Sequence, residues 1–244
     1  MILERVPESE EGRSTLMACA LVATSWRGPS QRRLFSSVLI DEYNYKSWMN
    51  CVVSSGYKAH LLKFVRSLTH WRDPNPKTKY PMENLPQDSG EYLSALPNIR
   101  TLKLYHIRIE RISEEGFRTC FSAFRETLTA LSLGTFDTSF SAFVTLVDYF
   151  PNITSLELGS IVLEPDEEPA PVLSRPLRGK VHVWGAHASR LEFLGRFVKL
   201  ELEYDELVLD SFSHLMETAF LERALQISAS TVKFLRLAVG LERE

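Results

Sequence analysis

Apolar residues recur along the middle of the chain in two alternating rhythms. The stretches "LPNIRTLKL" (96–104) and "FPNITSLEL" (150–158) each set an apolar residue and Pro-Asn-Ile ahead of two leucines at the same offsets. From Ile99 the apolar series runs Ile99, Leu102, Leu104, Ile107, Ile109. From Leu128 it runs Leu128, Leu131, Leu133, Phe136, with Thr138 at the last place. From Ile153 it runs Ile153, Leu156, Leu158, Ile161, Leu163. Each Leu-x-Leu step predicts a short strand with one buried face, because side chains alternate across a strand. Between the strands the rhythm changes. After Ser113, Phe117, Cys120, Phe121 and Phe124 share one helical face. After Ser139, Phe140, Phe143, Val144 and Val147 do the same. Ser113 suits a helix N-cap.

The three starts lie 29 and 25 residues apart. Their internal spacing follows the leucine-rich template L-x-x-L-x-L-x-x-N/C-x-L. A strand–turn–helix unit this small cannot bury both its faces, so neighbouring units must stack. The predicted fold is α/β: an irregular leucine-rich-repeat solenoid, with parallel strands on the concave side and helices on the convex side. Weaker copies extend it. "KFVRSLTH" (63–70) supplies an earlier strand, after a helix near 44–53. Val181 and Val183 supply a later one. Phe197, Leu200, Leu202 and Leu207 follow, with Asp205 at the Asn position, and then Val232, Leu235 and Leu237. These later spacings, 25, 19 and 35 residues, predict a divergent array. The Asn/Cys position of the three clear copies holds Ile107, Phe136 and Ile161, so a coil without a polar ladder and with looser curvature is expected. The side chains predicted to face outward on the concave side are Thr101, Lys103, Tyr105, Ala130, Ser132, Ser155 and Glu157.

The first forty residues follow another pattern. Ile2, Leu3 and Val6 form one apolar face ended by Pro7. Leu16, Cys19, Ala20 and Ala23 form a second, with Ser14 as the expected cap. Gly28-Pro29 predicts a break, with Pro29 in the first turn of a third helix closed by Leu34 and Phe35. Trp26 reads first as a core residue pinning the third helix to the second. The run Leu16, Ala20-Leu21-Val22, Trp26 and Leu34-Phe35, with "SWRGPSQRRLFSSV", resembles the second half of an F-box, in the form seen in F-box-like proteins of basidiomycete fungi. Those proteins continue into irregular leucine-rich repeats with "LPNLRTL"-like strands, so the resemblance covers nearly the whole chain.

The resemblance implies an incomplete F-box-like helical segment at 1–40 and a divergent leucine-rich-repeat domain at 41–244. It implies a non-enzymatic, substrate-recruiting subunit of a cullin–RING ubiquitin ligase. Leu3, Leu16, Leu21, Val22 and Trp26 would grip a Skp-type adaptor, and the concave residues would hold an unknown protein substrate. The Leu-Pro element that opens an F-box would precede Met1, so a fragment or an incomplete F-box is expected. Two other readings stand beside this one: a leucine-rich-repeat binding protein with a vestigial F-box, and an enzyme with an unrecognised site.

Composition narrows the field. The chain has 244 residues, is 44% hydrophobic and 24% charged, and carries a net charge of −3, which is enough apolar material for a core. Residues 1–80 carry +5 and the remainder −8, neither of which is the basic footprint of a nucleic-acid binder. No run of about 18 apolar residues and no signal peptide is present, so an intracellular protein, cytoplasmic or nuclear, is expected, with no membrane partner. Asn152-Ile153-Thr154 is then only a coincidental glycosylation match. Cys19, Cys51 and Cys120 are too few and too scattered for a zinc site or a disulfide framework. No nucleotide-loop, zinc-protease or nucleophile-elbow motif occurs, so no cofactor or metal is expected. His182 and His187 are an odd number of residues apart and fall on opposite faces of a strand. "EPDEEPAP" (164–171) reads as a solvated insertion and "WRDPNPKTKYP" (71–81) as a connector.

Overall fold

The computed structural model describes residues 10–22, 24–41, 43–44, 47–48, 50, 59–71, 93–106, 114–163, 172–184, 196–197, 200, 202–212 and 233–239. Several expectations lie outside them: the face Ile2–Leu3–Val6, the cap Ser113, Cys51, Ile107 and Ile109, His187, Val232, nearly all of 72–81 and the whole of 164–171.

The protein is α/β. Among the described residues, eight strands form one sheet: β1 (Ser37–Ile40), β2 (Ser67–Trp71), β3 (Thr101–Tyr105), β4 (Ala130–Gly134), β6 (Ser155–Leu158), β8 (Leu177–Val183), β9 (Leu202–Phe212) and β10 (Phe234–Val239). All neighbours are parallel, and each of the eight lies beside the one before it in the chain. Two short strands, β5 (Phe136–Thr138) and β7 (Ile161–Leu163), form a second parallel pair.

The register stacks like on like. Leu68, Leu102, Leu131, Leu156, Val181 and Leu207 form one buried column, 0–5% exposed. His70, Leu104, Leu133, Leu158 and Val183 form the next, equally buried. Helix α3 (Glu114–Phe121) and the 3-10 turn Ser122–Phe124 contribute Cys120, Phe121 and Phe124 to the same core. Helix α4 (Phe140–Tyr149) contributes Phe140, Phe143, Val144 and Val147. Ser139 caps α4: its Oγ accepts from the Ala142 N–H at 3.1 Å. Phe136, at the Asn/Cys position, is 1% exposed and lies 6.5 Å from Phe143, ring to ring. An apolar side chain does fill that turn.

The polar ladder is nevertheless present, at the other end of the strands. The Ser36 carbonyl accepts from both Arg66 N–H and Ser67 N–H. The Arg66 carbonyl accepts from Arg100 and Thr101, the Arg100 carbonyl from Thr129 and Ala130, and the Thr129 carbonyl from Thr154 and Ser155. The same two-donor clasp thus opens four successive strands. Side chains three residues ahead of the paired positions reinforce it. Asn98 Nδ2 donates to the Lys63 carbonyl at 3.1 Å, Thr127 Oγ1 to the Ile99 carbonyl at 2.8 Å, and Asn152 Nδ2 to the Glu126 carbonyl at 2.7 Å. This is why Pro-Asn-Ile recurs: the asparagine ties its coil to the preceding one. Gly179 stands where Thr154 stands in the coil before. Its φ of +93° and its closeness to the Thr154 carbonyl leave no room for a side chain.

The array is more regular than its sequence spacing suggested. Leu207, not Leu200, pairs with Val181, so the intervals read from Leu131, Leu156, Val181, Leu207 and Leu235 are 25, 25, 26 and 28 residues. Leu202 pairs with Leu177, and Asp205 is passed over at the irregularity between β8 and β9. Asp205 therefore does not occupy a turn. Its carbonyl accepts from the Lys233 N–H, and its carboxylate meets Lys233 Nζ at 2.6 Å.

Two helices precede the sheet: α1 (Glu10–Val22) and α2 (Thr24–Leu34). Ser14 lies inside α1 rather than capping it, and α2 runs through Gly28-Pro29. The break expected at Pro29 is absent: the helix continues past it, without the one hydrogen bond that proline cannot donate.

Candidate functional site

The buried columns fix where every intervening side chain goes. Residues between them on each strand must project from the opposite, open face. One row across that face reads Leu39, Thr69, Lys103, Ser132, Glu157, His182, Val208, Arg236. A second, toward the strand starts, reads Ser37, Ser67, Thr101, Ala130, Ser155, Lys180, Glu206, Phe234. Of the residues predicted to face outward, Thr101, Lys103, Tyr105, Ala130, Ser155 and Glu157 are half-buried on this face. Ser132 corrects the expectation. It is 2% exposed, and its hydroxyl has no hydrogen-bond partner. The short side chain stands between the longer Lys103 and Glu157, one strand spacing away on either side.

Charge is handled differently at two places on the face. Lys180 and Glu206 pair in register on adjacent strands, and Nζ meets Oε1 at 3.3 Å. Lys103 and Glu157 are separated by β4, and neither has an ion-pair or hydrogen-bond partner among the described residues.

A third row closes the strand ends. Trp71 pairs with Tyr105 and Tyr105 with Gly134. The Trp71 ring lies 5.0 Å from Tyr105 and 5.3 Å from His106, edge-on to the latter. A Cβ built on Gly134 would collide with the Tyr105 ring. One on Gly159 would lie 2.7 Å from Trp184 Cζ2. The two glycines are therefore a bare floor across which Tyr105 and Trp184 lie. Of this row the sequence reading named only Tyr105: it put Trp71 in a connector and did not place Trp184. The signal was legible as a glycine after the second leucine in "LSLG" (131–134) and "LELG" (156–159).

The displaced pKa values lie elsewhere. Burial pushes the Cys120 thiol up to about 11. Burial also raises Tyr149, against the lowering effect of Arg125 and Arg118, and it lowers Arg175 against the raising effect of Asp148. Arg175 donates to the Phe150 carbonyl, which Asp148 backs by accepting from Ser174 Oγ at 2.7 Å. These groups hold coil turns together. Among the described residues no three His, Cys, Asp or Glu side chains converge to hold a metal, and no helix is long and apolar enough to cross a membrane.

The helical hairpin offers a second surface. Leu16 is turned inward at 3% exposure, so it anchors the hairpin and is not presented. Leu21 is 84%, Met17 53% and Trp26 50% exposed. Trp26 thus departs from its expected core role. Leu3 and the Val22 side chain lie outside the described set.

No family model, curated protein or solved structure matches the chain. What fold and surfaces define is a class: an α/β protein with a sequentially ordered parallel sheet, a polar and aromatic open face, and, ahead of it, a helical hairpin that exposes Met17, Leu21 and Trp26.

Proposed function

We propose that the chain is a leucine-rich-repeat interaction protein of the F-box type, a non-enzymatic subunit that recruits a substrate to a cullin–RING ubiquitin ligase. The ordered sheet and the repeated clasp support the repeat solenoid. The observation that carries the ligase reading is the exposure of Met17, Leu21 and Trp26 on the hairpin, where the F-box resemblance sets the adaptor contacts. Large apolar side chains grouped in water are the usual mark of a partner surface. The chain's work is then positioning: the hairpin grips a Skp-type adaptor while the open face holds a protein target.

Capture by a purified Skp-type adaptor tests this. Wild-type protein is retained, Leu21→Asp and Trp26→Asp are lost, and Leu39→Asp, which alters an exposed leucine on the sheet instead, is retained. Failure of the wild type to bind sinks the ligase reading. It leaves the second reading, a repeat protein that binds through its open face alone, which the unpaired Lys103 and Glu157 favour.

A further inference from the structure

The open face carries more information than a generic binding surface. Lys103 and Glu157 have opposite charges and are both half-buried, yet neither meets a partner. On the same sheet Lys180 and Glu206 close to 3.3 Å, so opposite charges on adjacent strands do pair here. What keeps Lys103 and Glu157 apart is β4, which interposes Ser132. Two strand spacings hold their backbones about 10 Å apart, and the two side chains make no ion pair across that gap. Between them lies a buried hydroxyl with no partner, a group that proteins rarely leave unsatisfied. Toward the strand ends, Tyr105 and Trp184 lie over Gly134 and Gly159 beside this row.

We infer that the open face holds an extended peptide segment of a target protein that carries an acidic side chain over Lys103 and a basic one over Glu157. The segment lies across the strands. Its two charges stand about 10 Å apart, some three residues of extended chain. An apolar or aromatic side chain of the segment rests on Tyr105 and Trp184. The inference rests on the reading that this face binds the target, and it names the target's chemistry. The charges decide the class. A nucleic acid has no cation for Glu157 and would be repelled by it and by Glu206. A second copy of the chain could in principle set its Glu157 on Lys103. However, Trp71 and Phe234, 42% and 70% exposed, stand at opposite ends of the face and hold a second sheet off these half-buried charges. A slender segment reaches them.

A random-peptide library selected on the full chain tests this, with the double variant Lys103→Glu/Glu157→Lys selected in parallel and its fold checked by circular dichroism and thermal melting. Wild type enriches peptides with Asp or Glu about three residues from Lys or Arg, next to an aromatic or aliphatic residue. The double variant enriches the reverse polarity. Each single reversal weakens the best wild-type peptide at least tenfold, and raised salt weakens it further. Identical motifs from wild type and double variant overturn the inference, as does affinity indifferent to either reversal or no enrichment at all. A concentration-dependent dimer dispersed by a single reversal overturns it in favour of self-docking. Adaptor capture through Leu21 and Trp26 is scored on the same preparations. Its loss with intact peptide selectivity sinks only the ligase reading, and the converse result sinks only this one.

Discussion

The two faces of the sheet share their strands and differ in everything else. On the buried side Leu68, Leu102, Leu131, Leu156 and Val181 repeat nearly one chemistry from strand to strand, none more than 2% exposed. One residue further along each strand, Thr69, Lys103, Ser132, Glu157 and His182 never repeat. A single step along an extended chain moves a side chain from close packing to open surface. Stacking therefore constrains alternate positions and leaves the others free. Within one chain this separates what the coil needs in order to stack from what can be varied for recognition.

Leu131 and Ser132 put that contrast into two adjacent residues. Leu131→Ala opens a cavity in the core and lowers stability by about 2–5 kcal/mol. Ser132→Ala removes a buried hydroxyl that has no partner, so urea denaturation shows no loss or a slight gain. If Ser132→Ala costs as much as Leu131→Ala, the two faces are not independent. The cysteines sharpen the comparison through pH. Cys120, in the core, has its thiol raised from 9.0 to about 11, whereas Cys19 is only half-buried. The folded value exceeds the unfolded one. The contribution of the neutral thiol is therefore complete below pH 9 and declines as pH rises toward 11. Melting temperatures across that window fall less for Cys120→Ala than for the wild type. In native protein a thiol reagent labels Cys19 well before Cys120. A cost smaller than that of Leu131→Ala belongs to the clasp. Asn152→Ala loses the 2.7 Å bond to the Glu126 carbonyl and costs about 1 kcal/mol, the usual net value of one hydrogen bond. Denaturant titration of Asn152→Ala beside Asn98→Ala measures it twice in equivalent coils.

How much of this was legible in the sequence depended on the range of the forces involved. The strands from Leu102, Leu131 and Leu156 and the helix after Ser139 were legible because their signals are local: alternation and a 3.6-residue face. The register of β9 was not. "LELEYDELVLD" (200–210) offers leucines at several suitable offsets, and only the pairing of Leu207 with Val181 across the sheet selects one. The passages of α1 through Ser14 and of α2 through Pro29 were likewise missed, because the local capping and breaking signals were overruled. For the open face, the sequence named six residues that do project there. It could not bury Ser132, whose cover comes from neighbouring strands, nor assemble the aromatic row. That row exists because Trp71 meets Tyr105 across 34 residues of chain and Trp184 crosses Gly159.

The order of the strands has a bearing on how the molecule is made. No strand of the large sheet is more than 34 residues from the one it first joins. Parallel sheets are ordinarily slow to assemble because their partners are distant in sequence. In this chain each newly synthesised coil finds its docking edge already finished and next in line, and the Asn98, Thr127 and Asn152 side chains reach only to that edge. A growing chain can therefore add its strands to the sheet in the order in which they leave the ribosome.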